Sequence, residues 1–264
     1  MSNRIKALFF DIDGTLVSFK THQIPTSTIQ ALTEAKANGV KVYISTGRPL
    51  TLITVLDTIE HLIDGYITTN GAYCFVGDDD VCRHEIAKPS VDFVLNEARK
   101  QQFCCAVVGT RHVCIYQQNE QFNRIFLELL KVKIDDNIVS LDKVLQEPIL
   151  QLTPFITEQQ EAELMSKLPN CQSGRWHPEF SDITSRAADK GQGLHAMAQY
   201  LGLYIDETMA FGDGGNDLSI IQEAGVGVAM GNAVPTLLQK ADYITTSVDD
   251  NGIYNALKHY GVIH

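Results

Sequence analysis

The stretch Ala7-Leu8-Phe9-Phe10-Asp11-Ile12-Asp13-Gly14-Thr15-Leu16-Val17 limits what this chain can fold into more than any other. Ala7 to Phe10 is continuously apolar and leaves no polar face. That pattern suits a strand covered on both sides in a parallel sheet rather than one half open to water. Two carboxylates one residue apart follow, and then a glycine. In an extended chain, residues i and i+2 point to the same side, so Asp11 and Asp13 leave the carboxyl end of the strand together. In open α/β sheets that end is where ligands bind. Adjacent carboxylates repel one another and call for a cation or a shared proton. The plain alternative is an Asp-Gly turn closing a strand, and the rest of the chain decides between the two.

The segments that follow alternate in the manner of a parallel α/β sheet. Pro25 to Ala37 keeps helical spacing at Ile29, Leu32 and Ala35, and Asn38-Gly39 ends it. Val40 to Ile44 reads as a strand, Leu50 to Glu60 as a helix, and Asp64 to Thr69 as a third strand running into an Asn70-Gly71 turn. Tyr73 to Val76 and Val81 to Ile86 fit a hairpin around Gly77 to Asp80. Between Ala87 and Arg186 the pattern changes. Helices at Pro89 to Lys100, Phe122 to Leu130 and Glu158 to Leu168 mix with strands at Phe103 to Val108, Val113 to Gln117, Ile149 to Ile156, Cys171 to Trp176 and Phe180 to Arg186. Pro154 implies an edge or a bend in its strand. This α+β stretch reads as a second domain, 87–186, inserted into a first made of 1–86 and 187–264. The βα alternation then returns: helices at Lys190 to Leu201, Leu218 to Ala224, Pro235 to Lys240 and Gly252 to His259, and strands at Thr208 to Phe211, Val226 to Met230 and Tyr243 to Thr245.

The net charge of −11 over 264 residues argues against nucleic acid and against an anionic membrane as partners. It also means that an anionic ligand needs local cations. The six cysteines form no Cys-x-x-Cys pair and are expected as free thiols of a cytoplasmic protein. Cys104 and Cys105, adjacent in a strand, should face opposite ways. The sequence has no run long enough to span a membrane, and its beginning has no signal-peptide core, because the strand starts almost at once.

Three further βα junctions carry chemistry. Thr46-Gly47-Arg48 follows the second strand, where a hydroxyl and free N–H groups can hold phosphate oxygens. Lys190 opens a returning helix and offers a point charge to a phosphoryl group. Asp213, with Asn216 and Asp217 close by, ends the Thr208 strand, and oxygen ligands on a compact loop suit a hard cation such as Mg²⁺. Taken singly, Lys190 reads first as a surface lysine, while a helix cap at Thr46 and a polar loop at 212–217 are the plain alternatives there. Their common placement at strand ends favours a site.

Asp11 to Thr15, Ser45 to Arg48, Asp189 to Gly191 and Gly212 to Asp217 resemble, in order, the four motifs of the haloacid dehalogenase (HAD) superfamily of phosphoryl-transfer enzymes. The insert resembles a type IIB cap, and Asn70-Gly71-Ala72 matches the Cof-like phosphatases. Trp176-His177-Pro178 and Phe180 to Thr184 are similar to the hexose phosphate phosphatases of that group. The resemblance spans essentially the whole chain. It implies an α/β fold: a Rossmann-like parallel-sheet core with an inserted α+β (type IIB) cap domain. It implies Mg²⁺-dependent hydrolysis of small phosphate monoesters, sugar phosphates above all.

By that resemblance Asp11 is the nucleophile and Asp13 the general acid and base. Asp11, the Asp13 carbonyl and Asp213 hold Mg²⁺. Thr46, Gly47, Lys190 and Asn216 hold phosphoryl oxygens, and Asp217 sits in the outer shell. Asp13 at two residues beyond Asp11 favours phosphatase over dehalogenase chemistry. Arg48 reads two ways, as a substrate contact or as the partner of a core carboxylate. Trp176, His177, Glu179 and Asp182 are candidates for the cap side of the pocket. Two other readings stand beside this one: a phosphosugar mutase, and a phosphometabolite-binding regulator without turnover.

Overall fold

The computed structural model describes residues 5–129 and 138–264. The first part of the chain supplies β1 (Ala7–Phe10), α1 (Thr26–Ala37), β2 (Lys41–Ser45), β3 (Gly65–Thr68), β4 (Tyr73–Val76) and β5 (Asp79–Arg83). The middle supplies α2 (Lys88–Gln101), β6 (Cys105–Val108), β7 (Val113–Tyr116) and α3 (Glu120–Phe122), which continues as a π-helical stretch, Asn123–Leu129. It goes on with α4 (Leu141–Val144), β8 (Gln151–Pro154), α5 (Glu158–Met165), β9 (Cys171–His177) and β10 (Phe180–Ser185). The last part supplies α6 (Lys190–Leu201), β11 (Thr208–Gly212), α7 (Leu218–Glu223), β12 (Val226–Ala229), α8 (Pro235–Leu238), β13 (Tyr243–Ile244) and α9 (Gly252–His259).

Two sheets and two compact units result. One unit holds the chain up to Gly47, Val55–Cys82 and Asp189–His264; the other holds Arg48–Thr54 and Arg83–Ala188. The first unit is built on an eight-stranded sheet in the order β13-β12-β11-β1-β2-β3-β4-β5. The run from β13 to β3 is parallel, and β4 turns antiparallel on β3. Every residue of β1 is buried, as its unbroken apolar sequence requires. Its side chains alternate between faces. Phe9 stacks on Tyr43 and joins Leu194 and Met197 of α6 with Ile220 and Ile221 of α7, while Phe10 stacks on Phe211. With β1 central, Asp11 emerges at the middle of the sheet's carboxyl edge.

The second unit is built on an antiparallel sheet, β7-β6-β8-β10-β9. Cys105, Val107, Leu152 and Ile183 face α2 and α5 on one side; Cys104, Phe155 and Phe180 join Phe122 and Phe126 in a cluster on the other. Cys104 and Cys105 therefore do face opposite ways, and all six cysteines are free thiols.

Four local expectations change. Leu50 to Glu60 is not a helix: 3₁₀ turns at Leu50–Leu52 and Glu60–Leu62 are separated by the non-helical residues 53–59, beginning with an extended Ile53. Thr51, Ile53, Thr54 and Val55 are β-branched and resist helix, and the segment is divided between the two units at Thr54/Val55. Pro154 is not on an edge: β8 lies between β6 and β10, and Pro154 is its last residue, beyond the Leu152 pairing with β10. The helix expected over Phe122 to Leu130 is π-helical from Asn123, and Leu130 lies outside the described residues. The hairpin turn is shorter than expected, with β5 starting at Asp79.

Asn70-Gly71 is also more than a hairpin turn. Thr69, Asn70 and Gly71 have φ of 54°, 53° and 90° in succession. A Cβ at Gly71 would lie 2.2 Å from the Asp189 carbonyl oxygen, so only glycine lets this loop pack against the start of α6. Gly71→Ala should destabilise the first unit by at least about 2 kcal/mol, from backbone strain and the clash together. Urea unfolding followed by circular dichroism checks this, and an unchanged midpoint would contradict it.

Candidate active site

The carboxyl ends of β1, β2, β11 and β12, together with the start of α6, bring one cluster together within the first unit. Asp11 follows β1 directly, its N–H donating to the Phe211 carbonyl (3.1 Å), and its side chain is buried. Lys190 is the first residue of α6, whose N-cap Asp189 accepts from the Gln192 N–H. The rest of α6 anchors Lys190 through Leu194, Met197 and Ala198 in the core. The Lys190 side chain is fully buried and its Nζ donates to Asp11 Oδ1 (2.7 Å) and Asp217 Oδ1 (2.6 Å). The other oxygen of Asp217 accepts from the backbone N–H groups of Asp213 (3.0 Å) and Gly214 (2.9 Å). Asp217 thus ties the 213–217 loop to the lysine.

Asp11, Asp213 and Asp217 each bring a carboxylate oxygen within 4.8 Å of the others. Burial first, and then the Asp217 charge, push the Asp11 carboxyl from an ordinary 3.8 up to about 8, against the opposing pull of Lys190. The same two causes push Asp213 up to about 7. Burial works against the Lys190 charge as well, but Asp11 and Asp217 outweigh it and hold the ammonium above the ordinary lysine range. Three carboxylates face one ammonium, a deficit of two positive charges. The donors are oxygens throughout. This set fits a hard divalent cation such as Mg²⁺ and does not fit a soft one.

Asp13 is half-buried in the tight loop after β1, where Gly14 N–H donates to Val17 O (2.9 Å). Its charge contributes to raising both Asp11 and Asp213. Thr46 is buried after β2, its N–H donating to Ile67 O (2.8 Å) and its carbonyl accepting from Asn70 N–H (3.0 Å). Gly47 lies against the Asn70 amide, and Asn216 Nδ2 donates to Asn70 Oδ1 (3.0 Å). Asn70, read from sequence as a turn and as part of the Asn70-Gly71-Ala72 match but given no site role, connects the Thr46-Gly47 loop to Asn216. Asn232 was missed outright. Its Nδ2 donates to Gly14 O (2.8 Å) and Asp213 Oδ2 (3.2 Å), and its Oδ1 accepts from Val248 N–H (2.9 Å). The available signal was its position, two residues beyond the apolar strand Val226 to Met230.

The other candidates lie in the second unit. Arg48 Nη1 donates to Leu52 O (3.2 Å). His177 stacks on Phe180, and Glu179 pairs with Arg124 (2.6 Å). Asp182 Oδ1 accepts from Gln151 Nε2 (2.8 Å) and Thr153 Oγ1 (2.7 Å). The expectation for Trp176 falls outside the described side chains.

A family profile described as haloacid dehalogenase-like hydrolase matches residues 8–257. Among solved structures, the HAD subclass IIB sugar phosphatase BT4131 of Bacteroides is 44% identical, with a TM-score of 0.88, over 98% of this chain and 100% of that one. The HAD phosphatase BT1666 of Bacteroides thetaiotaomicron is 33% identical, with a TM-score of 0.87, over 99% and 97%. The 5-amino-6-(5-phospho-D-ribitylamino)uracil phosphatase YcsE of Bacillus subtilis is 27% identical over 97% of this chain and 96% of its own. Among the described residues no helix is long and apolar enough to cross a membrane.

The raised carboxyls give a pH prediction. A carboxyl whose folded value lies above its unfolded one keeps a proton that the unfolded chain has lost. Its contribution therefore weakens the metal-free fold as pH rises from about 4 through about 7 to 8. A cation competes with those protons. Mg²⁺ at a hundredfold excess over Kd should stabilise by about 2.7 kcal/mol, and at a fixed Mg²⁺ concentration the rise in melting temperature should be larger at pH 8 than at pH 6. Asp213→Ala should remove most of the difference. A shift of equal size at both pH values, or one that survives Asp213→Ala, would place the cation elsewhere.

Proposed function

Since the chain belongs to the haloacid dehalogenase-like hydrolases, and within them to the phosphatases, we propose that it hydrolyses small phosphate monoesters, hexose phosphates above all, through an aspartyl-phosphate intermediate. The observation that carries this reading is the buried Lys190 ammonium held between Asp11 and Asp217. The ammonium engages Oδ1 of Asp11, and in this reading Oδ2 is the oxygen that attacks. The substrate class draws support from the relatives: one is named a sugar phosphatase and another acts on a phosphorylated ribityl compound.

In the first step Asp11 Oδ2 attacks phosphorus, the P–O bond to the sugar breaks, and Asp13 gives its proton to the departing alkoxide. In the second, Asp13 takes a proton from water as that water attacks the aspartyl phosphate, releasing inorganic phosphate and restoring Asp11. Thr46, the Gly47 N–H, Lys190 and Asn216 hold the phosphoryl oxygens during both steps. Asp11, the Asp13 carbonyl and Asp213 would hold Mg²⁺, with Asp217 behind them. When bound, Mg²⁺ supplies positive charge against the oxygens of the transferring group.

The two carboxylates separate by leaving group. A sugar alkoxide needs a proton to depart, whereas p-nitrophenolate does not. Asp13→Asn should slow the single-turnover burst with a hexose phosphate about 10²–10⁴-fold, and far less with p-nitrophenyl phosphate. Rapid-quench measurement of the first turnover isolates this step, because Asp13 serves both substrates alike in the second. Equal losses for the two esters would make Asp13 a structural residue instead of the acid.

A further inference from the structure

Large apolar side chains are seldom left in water beside a cluster of charges, and Phe19 is left there. The residue is 62% exposed. It lies directly on Gly14: a Cβ built at Gly14 would fall 2.6 Å from Phe19 Cε2 and 2.2 Å from Asp213 Oδ2. The ring edge and the Asp213 carboxylate therefore meet over the same backbone atom. Gly14 has φ +82°, and its carbonyl is held by Asn232, the residue that also holds Asp213.

The loop that carries Phe19 is tied on every side. Ser18 Oγ donates to Asp249 Oδ1 (2.6 Å) and accepts from the N–H groups of Lys20 (3.1 Å) and Thr21 (3.2 Å). Ser18 N–H donates to Gln23 O (3.1 Å), and His22 N–H donates back to Ser18 O (2.9 Å). Lys20 pairs with Asp249 (2.9 Å). His22 adopts the left-handed region, φ 55°, to close the turn. A loop fixed in this way does not expose a phenyl ring because it lacks order. It presents the ring.

We propose that Phe19 is a specificity-determining residue, an apolar platform on which the carbon skeleton of the phosphate ester lies while its phosphoryl group is at Asp11. The proposal rests on the phosphatase reading above and extends it to the shape of the substrate. Phenyl faces pack well on the C–H face of a sugar ring, which offers apolar surface on one side and hydroxyls at its rim. An ester whose alcohol is a single methyl has no skeleton to cover the ring. The platform therefore discriminates by contact area, and carries no charge into a site already short of positive charge.

Phe19→Ala, Phe19→Trp and the parent protein would be compared with glucose 6-phosphate and methyl phosphate, both with Mg²⁺ present. The ratio of kcat/KM for glucose 6-phosphate over methyl phosphate should fall about tenfold in Phe19→Ala, mostly through KM. Phe19→Trp, which keeps an aromatic face, should restore it. Calorimetric binding of glucose 6-phosphate to the parent and to Phe19→Ala gives a second arm that needs no turnover, and there the Kd should rise by the same factor. An unchanged ratio with an unchanged Kd would overturn the proposal, as would a loss shared equally by both esters. If the parent protein released phosphate from neither ester, the hydrolytic reading would fail instead, and the binding arm would still decide the role of Phe19.

Discussion

The first unit depends on one buried cation. Lys190 Nζ is sealed from water and touches Asp11 on one side and Asp217 on the other. Removing one partner from such a pair exposes the other as an uncompensated buried charge, at about 3–5 kcal/mol. The lysine is therefore committed to its place, and so are the elements it joins: the end of β1, the start of α6 and the loop after β11. Asp217 extends the link by capping the N–H groups of Asp213 and Gly214. A single ammonium joins two strand ends and a helix start, yet it leaves the carboxylate cluster short of positive charge. Stability and reactivity meet in that shortfall, because the site is held together but not neutralised.

The neighbouring amides complete the frame without adding charge. Asn70 links the β3 loop to Asn216, and Asn232 links Asp213 to Gly14 and to the 248 backbone. Neutral donors and acceptors suit this place. A further carboxylate would deepen the repulsion, and a further ammonium would compete with any divalent cation that the cluster holds. The left-handed run Thr69–Gly71 is the backbone strain that aims Asn70, and it is held by packing against the Asp189 carbonyl.

Much of this was legible from sequence because the determinants are local. An apolar run followed by Asp-x-Asp-Gly specifies a buried strand and its exit, so Asp11 and Asp13 could be placed from sequence. Lys190 and the 212–217 loop could be placed because each adjoins an element with clear periodicity. What escaped depends on contacts between distant segments. Asn232 matters through Gly14, 218 residues away in the chain. Leu50 to Glu60 lost its helix because the chain passes between units within it. Glu179, a candidate for the cap side of the pocket, is also engaged by Arg124 and Gln121, partners that only the fold of α3 and its extension reveals. Nothing in the sequence marks Phe19, since its exposure and its adjacency to Gly14 are facts of tertiary structure.

The account turns on Asp11 carrying the phosphoryl group in the course of the reaction. Acid quench of the protein within the first turnover on a hexose phosphate, followed by peptide mass mapping, tests this most directly. The account predicts one added phosphoryl group on the peptide containing Asp11, lost on longer incubation as phosphate appears. Phosphate release with no such adduct at any time, or an adduct on a different residue, would contradict it.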